Sequence, residues 1–206
     1  KRFLKSAFDL EKDSFGFFPN KEGVLSGAIA IIKASKEPKQ SIIDHAAKLS
    51  KKLPSKKWAI NFVSIFEEND KYNFFLGWGL SFYNFSIKGK KESLTKSQTL
   101  CLNQGKEVIS KILLEKCFAE IRGIFLTRDL INLPPNILTP YNYEKIIKNS
   151  LKEFSPKFTS YKDKQLEKNF PLINIVGRSS ENKPALIDMQ WSKIKKNKFP
   201  NITLIG

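Results

Sequence analysis

The chain has 206 residues, of which 41% are hydrophobic and 12% aromatic, so a packed core is expected and an intrinsically disordered chain is excluded. Lys and Arg (36 residues) outnumber Asp and Glu (20 residues), for a formal net charge of +16. No apolar run approaches the roughly 18 residues that span a bilayer, and the N-terminus lacks the apolar stretch of a signal peptide, so we expect a cytoplasmic protein without a membrane partner.

The first half of the chain predicts alternating strands and helices. Residues 24–32 form an apolar run typical of a buried strand. A helix follows from Pro38 to Pro54, because Ile42, Ala46 and Leu49 recur on one face. Residues 58–66 predict another strand, and the polar residues 67–70 predict a turn.

A buried helix is predicted around Leu76 to Phe85, followed by a polar stretch without periodicity. That stretch, residues 88–98, is the best candidate for a domain boundary. We therefore predict one domain over residues 1–97 and a second over residues 98–206.

The second half opens with a long amphipathic helix over residues 106–132, which ends before Pro134-Pro135. Thr139-Pro140 then reads as an N-cap with proline at the first helical position. The buried stripe predicted for this next helix is Tyr143, Ile146, Ile147, Leu151 and Phe154. Strands are predicted at 157–161, 184–191 and 201–206, with a short helix at 163–169. This alternation is typical of a layered α/β protein.

Residue chemistry alone gives no active site. His45 is the only histidine and lies near no second ligand, which excludes a zinc site and a Ser-His-Asp triad. Gly77-Trp78-Gly79 lacks the third glycine of a dinucleotide fingerprint. Residues 177–180 lack the ending of a P-loop, so we interpret them as a plain loop, with anion binding as the alternative. Cys101 and Cys117 have no metal-ligand spacing and are interpreted as small apolar residues.

The excess positive charge allows two interpretations. A basic surface gains free energy by releasing counterions from a nucleic acid. Arg occurs only at positions 2, 122, 128 and 178, however, and the planar guanidinium is the group best suited to phosphates and bases. Abundant Lys, Asn, Ile and Phe also follow from AT-rich codon usage. We favour this compositional explanation and keep a nucleic-acid-binding or purely assembling module as the alternative function.

The stretch from Arg128 to Pro140, RDLINLPPNILTP, resembles the RDLxNxPxNxLTP corner of the leucyl (cytosol) aminopeptidase family. Further similarity follows in the same order at residues 169–173, 176–180, 184–191 and 201–206. The resemblance covers about residues 105–206. It implies a small macro-like N-terminal α/β domain followed by an incomplete three-layer α/β/α catalytic domain.

The same resemblance implies function. Members of the family are two-metal exopeptidases, with Mn or Zn, that release N-terminal amino acids from peptides and assemble as hexamers. Their metal ligands and catalytic residues follow the strand that corresponds to residues 201–206. We therefore expect no catalytic, metal-binding or cofactor-binding residue within residues 1–206, and no turnover by these residues alone.

The corner itself is interpreted as a structural motif. Its residues are Arg128, Asn132, Pro134, Pro135, Asn136 and Thr139. Two adjacent prolines fix φ and reduce the entropy of the unfolded chain. We expect Asn136 to bond neighbouring backbone and Thr139 to cap the following helix. A role of Arg128 or Asn136 towards substrate or an interface is the alternative.

Overall fold

The computed structural model describes residues 15–32, 36–62, 65–87, 99–101, 109–191 and 202–206. The chain divides into two compact units, Lys1–Asn132 and Leu133–Gly206. Helices and two-stranded sheets are combined, as predicted for an α/β protein. The predicted boundary between residues 97 and 98 lies outside the described residues and stays a prediction. So does the finer division into macro-like and three-layer domains.

The first unit contains four strands and three helices among its described residues. They are β1 (Phe15–Pro19), β2 (Leu25–Ala30), α1 (Pro38–Lys52), β3 (Lys57–Ala59), α2 (Glu68–Leu80), β4 (Thr99–Cys101) and α3 (Lys111–Asn132). Strands β1 and β2 pair antiparallel, with Phe15 opposite Ala30, and β3 pairs parallel with β4. The long helix that we assign by sequence to the second domain thus packs within the first unit.

The core of this unit lies among the three helices. Its buried members include Ala46 and Leu49 of α1, Phe74, Leu76 and Trp78 of α2, and Cys117 and Ile121 of α3. Phe62, Phe74 and Phe75 meet edge to face, with ring centroids 5.2 to 6.0 Å apart, the arrangement that aromatic quadrupoles favour. The abundance of Phe in the sequence therefore serves this core.

Gly77 allows α1 and α2 to approach closely. A Cβ atom at this position would lie 2.1 Å from the carbonyl oxygen of Ile43 in α1. No side chain fits such a distance, because the obstacle is backbone. Glycine is therefore required here by packing and not by a turn.

Two predictions near α2 are corrected. Residues 67–70 are not a turn but the start of α2, where the Asp70 carboxylate accepts a bond of 3.1 Å from the Glu67 N–H. Acidic residues suit this position because the N-terminus of a helix carries partial positive charge. The strand predicted at 58–66 is limited to Lys57–Ala59, and residues 63–64 lie outside the described residues.

Other predictions in the first unit hold with changes. Strand β2 forms within residues 24–32 but is only half-buried, with Ile29 37% exposed, since its described partner is β1 alone. The helix from Pro38 is confirmed, and it also buries His45. Cys117 is buried as predicted, and burial raises the pKa of its thiol to about 11. Cys101 is exposed and forms no disulfide, and its interpretation as a small apolar residue stays a prediction.

The second unit contains one antiparallel sheet and three helices among its described residues. They are α4 (Pro140–Leu151), β5 (Lys157–Lys162), α5 (Asp163–Asn169), α6 (Pro171–Gly177) and β6 (Ala185–Gln190). Strands β5 and β6 pair with Phe158 opposite Met189. The predicted strands at 157–161 and 184–191 and the predicted helix at 163–169 are confirmed.

Two predictions in this unit are wrong. Residues 202–206 form no strand, and Ile202, Leu204 and Ile205 are 87 to 95% exposed. A strand needs a partner for its backbone groups, and the described residues offer none here. In the predicted stripe, Tyr143 of α4 and Phe154 of the 3-10 helix that follows (Lys152–Phe154) are exposed, whereas Ile147 and the charged Glu144 of α4 are buried.

Candidate functional site

The turn after Leu133 satisfies its own backbone. The carbonyl of Pro134 accepts bonds of 2.9 Å from the N–H groups of Ile137 and Leu138. The Thr139 hydroxyl accepts a bond of 3.3 Å from the N–H of Asn142, which confirms the predicted cap of α4. Pro134, Pro135 and Pro140 have no N–H to satisfy.

Asn136 does not bond the neighbouring backbone as predicted. Its side chain is exposed and makes no hydrogen bond to any residue in the described part of the chain. The Asn142 amide does so instead, donating 2.8 Å to the carbonyl of Ile137. The asparagine that stabilises the turn is thus the one on the helix, where its backbone is already fixed.

Polar side chains at the C-terminal end of α3 contact Tyr83. Asn132 Nδ2 donates to the Tyr83 hydroxyl at 2.9 Å, and the Arg128 guanidinium lies 5.3 Å from the centroid of its ring. The Phe125 ring lies 5.3 Å away, centroid to centroid. Arg128 and Asn132 reach one residue because positions i and i+4 share a helix face.

The electrostatics keep Tyr83 a neutral phenol. Partial burial raises its pKa, the bond from Asn132 opposes that shift, and the nearby negative charge of Asp129 adds to it. Arg128 and Asn132 therefore hold one neutral tyrosine in place, which is a support and not a reacting group.

A second polar cluster surrounds Glu144, which is 5% exposed. Lys148 donates to its carboxylate at 2.9 Å, and Lys162 of β5 forms a second ion pair with it. Burial by itself raises the pKa of Glu144, but the bonds from Lys162 and Lys148 outweigh burial and hold that pKa below its ordinary value. This carboxylate is ionised at neutral pH and is already neutralised by protein cations.

The cluster continues through Tyr141. Lys162 lies 4.4 Å from the centroid of the Tyr141 ring, and the Tyr141 hydroxyl donates to Asp163 at 3.2 Å. Lys183 completes the chain with an ion pair to Asp163 at 3.0 Å. The bond from Lys183 lowers the pKa of Asp163, so this carboxylate is ionised as well. Anions and cations alternate along the cluster, so it ties α4, β5 and α5 together.

Residues 177–180 behave as the plain loop of the sequence interpretation. Gly177 is the last residue of α6, and Ser180 donates its N–H to the Gly177 carbonyl at 3.2 Å. A helix C-terminus carries partial negative charge and repels anions. A Cβ at Gly177 would lie 2.4 Å from Pro184, so glycine is needed here for packing.

No group of three or more His, Cys, Asp or Glu side chains is arranged to hold a metal ion within the ranges that the structure describes. Over the same ranges, none of the helices combines the length and the apolar character needed to cross a membrane.

Comparison with known proteins identifies the class. Residues 125–206 match the catalytic domain of the cytosol aminopeptidase family. The chain is 31% identical to a probable cytosol aminopeptidase of Corynebacterium glutamicum over 134 residues, which are 63% of this chain and 26% of that protein. It is 37% identical to the Pseudomonas aeruginosa counterpart over 86 residues, 41% of this chain and 17% of that protein.

Solved structures agree. The fold superposes on the cytosol aminopeptidase of Coxiella burnetii with a TM-score of 0.75 and 27% identity, over 94% of this chain and 40% of that one. The bottromycin maturation enzyme BotP, solved in complex with Mn, shares the fold with a TM-score of 0.69 at 15% identity, over 93% of this chain and 42% of that one.

The fold and the matched segment thus define an α/β protein of peptidase type. The chain is similar to the N-terminal part of cytosol aminopeptidases, and its residues 125–206 match that family's catalytic domain, in agreement with the resemblance of the RDLINLPPNILTP stretch. It spans about a quarter of the length of the curated relatives it matches.

Proposed function

We propose that this chain forms the N-terminal unit, the linking helix and the first part of the catalytic domain of a metal-dependent aminopeptidase. The observation that carries the proposal is the match of residues 125–206 to the family's catalytic domain. The whole enzyme would release N-terminal amino acids from peptides. Divalent metals in such a site activate a water molecule and polarise the scissile carbonyl, and the Mn complex of BotP supports this dependence.

Within this proposal the described residues have a supporting role. The Tyr83 cluster holds the C-terminal end of α3, and the Glu144 cluster joins α4 to β5. In the second cluster each carboxylate faces a lysine ammonium, which supports a structural role for these charges. The reacting groups are proposed to lie outside residues 1–206.

The burial pattern of the second unit supports further chain packing on it. Its buried apolar side chains among the described residues are Ile147 and Leu166, whereas Leu172, Val176 and Trp191 are each more than half exposed. Two buried side chains are few for an independent core, and large exposed apolar residues typically mark a surface that is covered in the functional state. We propose that the remainder of the catalytic domain covers them, and that the whole enzyme assembles as a hexamer.

The experiment is hydrolysis of L-leucinamide in the presence of Mn²⁺ or Zn²⁺. Purified residues 1–206 are expected to show no turnover above a metal-only control, while a longer protein that adds the family's metal-binding loop turns over. Metal-dependent hydrolysis by residues 1–206 would overturn the assignment of the reacting groups. Inactivity of the folded, metal-loaded longer protein would overturn the aminopeptidase assignment itself.

A further inference from the structure

A cleft of about 380 Å³ opens among the three helices of the first unit. Its polar lining comes from Lys39 of α1, Asn69 and Asn73 of α2, and Lys116 and Glu120 of α3. These residues all precede the family-matched segment 125–206, so the cleft is separate from the proposed catalytic function. Its volume falls within the roughly 300–1,000 Å³ of small-molecule sites.

Asn73 is the feature that points to a ligand. It is 7% exposed, lines the cleft, and its side-chain amide has no hydrogen-bond partner among the residues the structure describes. An asparagine side chain offers two donors and one acceptor, and here they border the cleft, since they are not among the fully buried unpartnered atoms of the described residues. An amide kept at such a position is free to pair with a bound molecule.

Two cations border the same cleft. Lys39 lies in the first turn of α1. Lys116 lies with its ammonium 5.8 Å from the centroid of the Tyr72 ring. Neither lysine forms an ion pair with a residue in the described ranges. Both are available to a carboxylate.

One anion faces these cations. Glu120 accepts a hydrogen bond from the Tyr72 hydroxyl through Oε2. Burial, together with Glu120, raises the pKa of Tyr72, so the phenol remains a donor and fixes the carboxylate. Oε1 of Glu120 has no hydrogen-bond or ion-pair partner among the described residues and is proposed to meet a ligand cation. The apolar wall beside it is Leu113.

We propose that this cleft binds a zwitterionic α-amino acid. Its carboxylate contacts Lys39 and Lys116, its ammonium contacts Glu120, and the Asn73 amide pairs with the polar head. A purely anionic ligand would meet the Glu120 carboxylate, and a purely cationic one would meet the two lysines. Only a ligand of both charges pairs with every group.

The test is calorimetric titration of residues 1–206 with L-leucine as the probe. We expect saturable binding in the millimolar range, and binding at least about tenfold weaker for acetate and for methylammonium, because each makes half of the charge-assisted contacts. Equal affinity for acetate, or no saturation by L-leucine, overturns the proposal. This readout is independent of peptide hydrolysis, so it is unaffected if the aminopeptidase assignment fails.

Variants assign the binding to the cleft. Lys116→Ala and Asn73→Leu are each expected to weaken L-leucine binding by about tenfold or more. Lys111→Ala, on the same helix but outside the cleft, is the matched control and should leave the affinity within about twofold. Because Asn73→Leu replaces an unpaired polar group by an apolar isostere, it should fold at least as stably as the parent, as thermal melting would verify. Unchanged affinity in both cleft variants overturns the proposal.

Discussion

Tyr83 shows how single side chains can fix the end of a long helix. Its ring lies 5.3 Å from the Phe125 ring and from the Arg128 guanidinium, and its hydroxyl accepts a hydrogen bond from Asn132. The last two turns of α3 are thereby joined to the segment after α2. Arg128 and Asn132 of the RDLINLPPNILTP motif thus stabilise the structure by contacting Tyr83.

A double-mutant cycle tests that coupling. Tyr83→Phe and Asn132→Ala should each lower the melting temperature, by about 2–4 °C for a chain of this size, because each removes the same hydrogen bond. Combining them should cost little more than either alone. Asn136→Ala is the control without effect, since its exposed side chain has no hydrogen bond among the described residues. Additive losses would show that Tyr83 and Asn132 act independently.

The buried Glu144 carboxylate predicts how the stability of the protein depends on pH in the acid range. Its folded pKa is lowered, so its contribution to stability is present above the ordinary value of 4.5 and is lost as pH falls through the folded pKa. The melting temperature of the parent should therefore drop more steeply between about pH 5 and pH 3 than that of Glu144→Gln. Glu167→Gln, an exposed glutamate of the same unit without an ion pair among the described residues, should retain the parent profile. Parallel profiles for the parent and Glu144→Gln would contradict this account.

At the scale of elements, helix contacts decide where glycine is required. Gly77 lies against the backbone of α1, whereas a Cβ at Gly123 of α3 would have no atom within 4 Å. The two glycines occupy helix interiors alike, and propensity alone disfavours both. The two positions differ in their surroundings, because Gly77 lies against the backbone of α1 and the space beside Gly123 is open.

Alanine substitution of these two glycines should have opposite effects. Gly77→Ala should lower the free energy of unfolding by roughly 2–3 kcal/mol, because α1 and α2 must separate to admit the methyl group. Gly123→Ala should raise it by about 0.5–1 kcal/mol through helix propensity. Urea unfolding followed by circular dichroism measures both. No loss of stability in Gly77→Ala would refute the close packing of α1 on α2, and a loss in Gly123→Ala would contradict the open space around Gly123.

For the whole molecule, the dominant property is a net charge of +16 carried mainly by lysine. Lysines recur over aromatic rings in both units, for example Lys52 at 4.6 Å from the Phe15 centroid and Lys148 at 4.7 Å from that of Phe158. Their stems cover apolar surface while their charges remain near water. Such charges favour solubility and attract polyanions such as nucleic acids without specificity for a base sequence.

Nucleic-acid binding is proposed only in this nonspecific form. Affinity for a single-stranded oligonucleotide should fall linearly on a double-logarithmic plot against salt, by about 0.7 per phosphate contact, and should be the same for unrelated base sequences. Fluorescence anisotropy measures it, with a matched anionic polymer as the control. Binding that persists at high salt or prefers one sequence would contradict the compositional explanation of the charge.

Predictability differed between parts of the chain for physical reasons. The cap at Thr139 with Pro140, and helix Asp163–Asn169, follow from signals within a few residues and were confirmed. The resemblance to the cytosol aminopeptidase family followed from the spacing of RDLINLPPNILTP, and the match of residues 125–206 confirmed it. The start of α2 was mistaken for a turn, since acidic residues occur both in turns and at helix N-termini. The Tyr83 cluster and the cleft beside Asn73 were missed, because their residues lie far apart in the sequence.

The sequence by itself determined the apolar composition, the local capping and proline geometry, the class and the family, because these depend on residue types and short spacings. Only the tertiary structure decided which side of each helix is buried. It placed Glu144 inside between two lysines, left Tyr143 exposed, and gave residues 202–206 no strand partner. Burial is set by the neighbour that covers a surface, and a neighbour distant in sequence leaves no local signal.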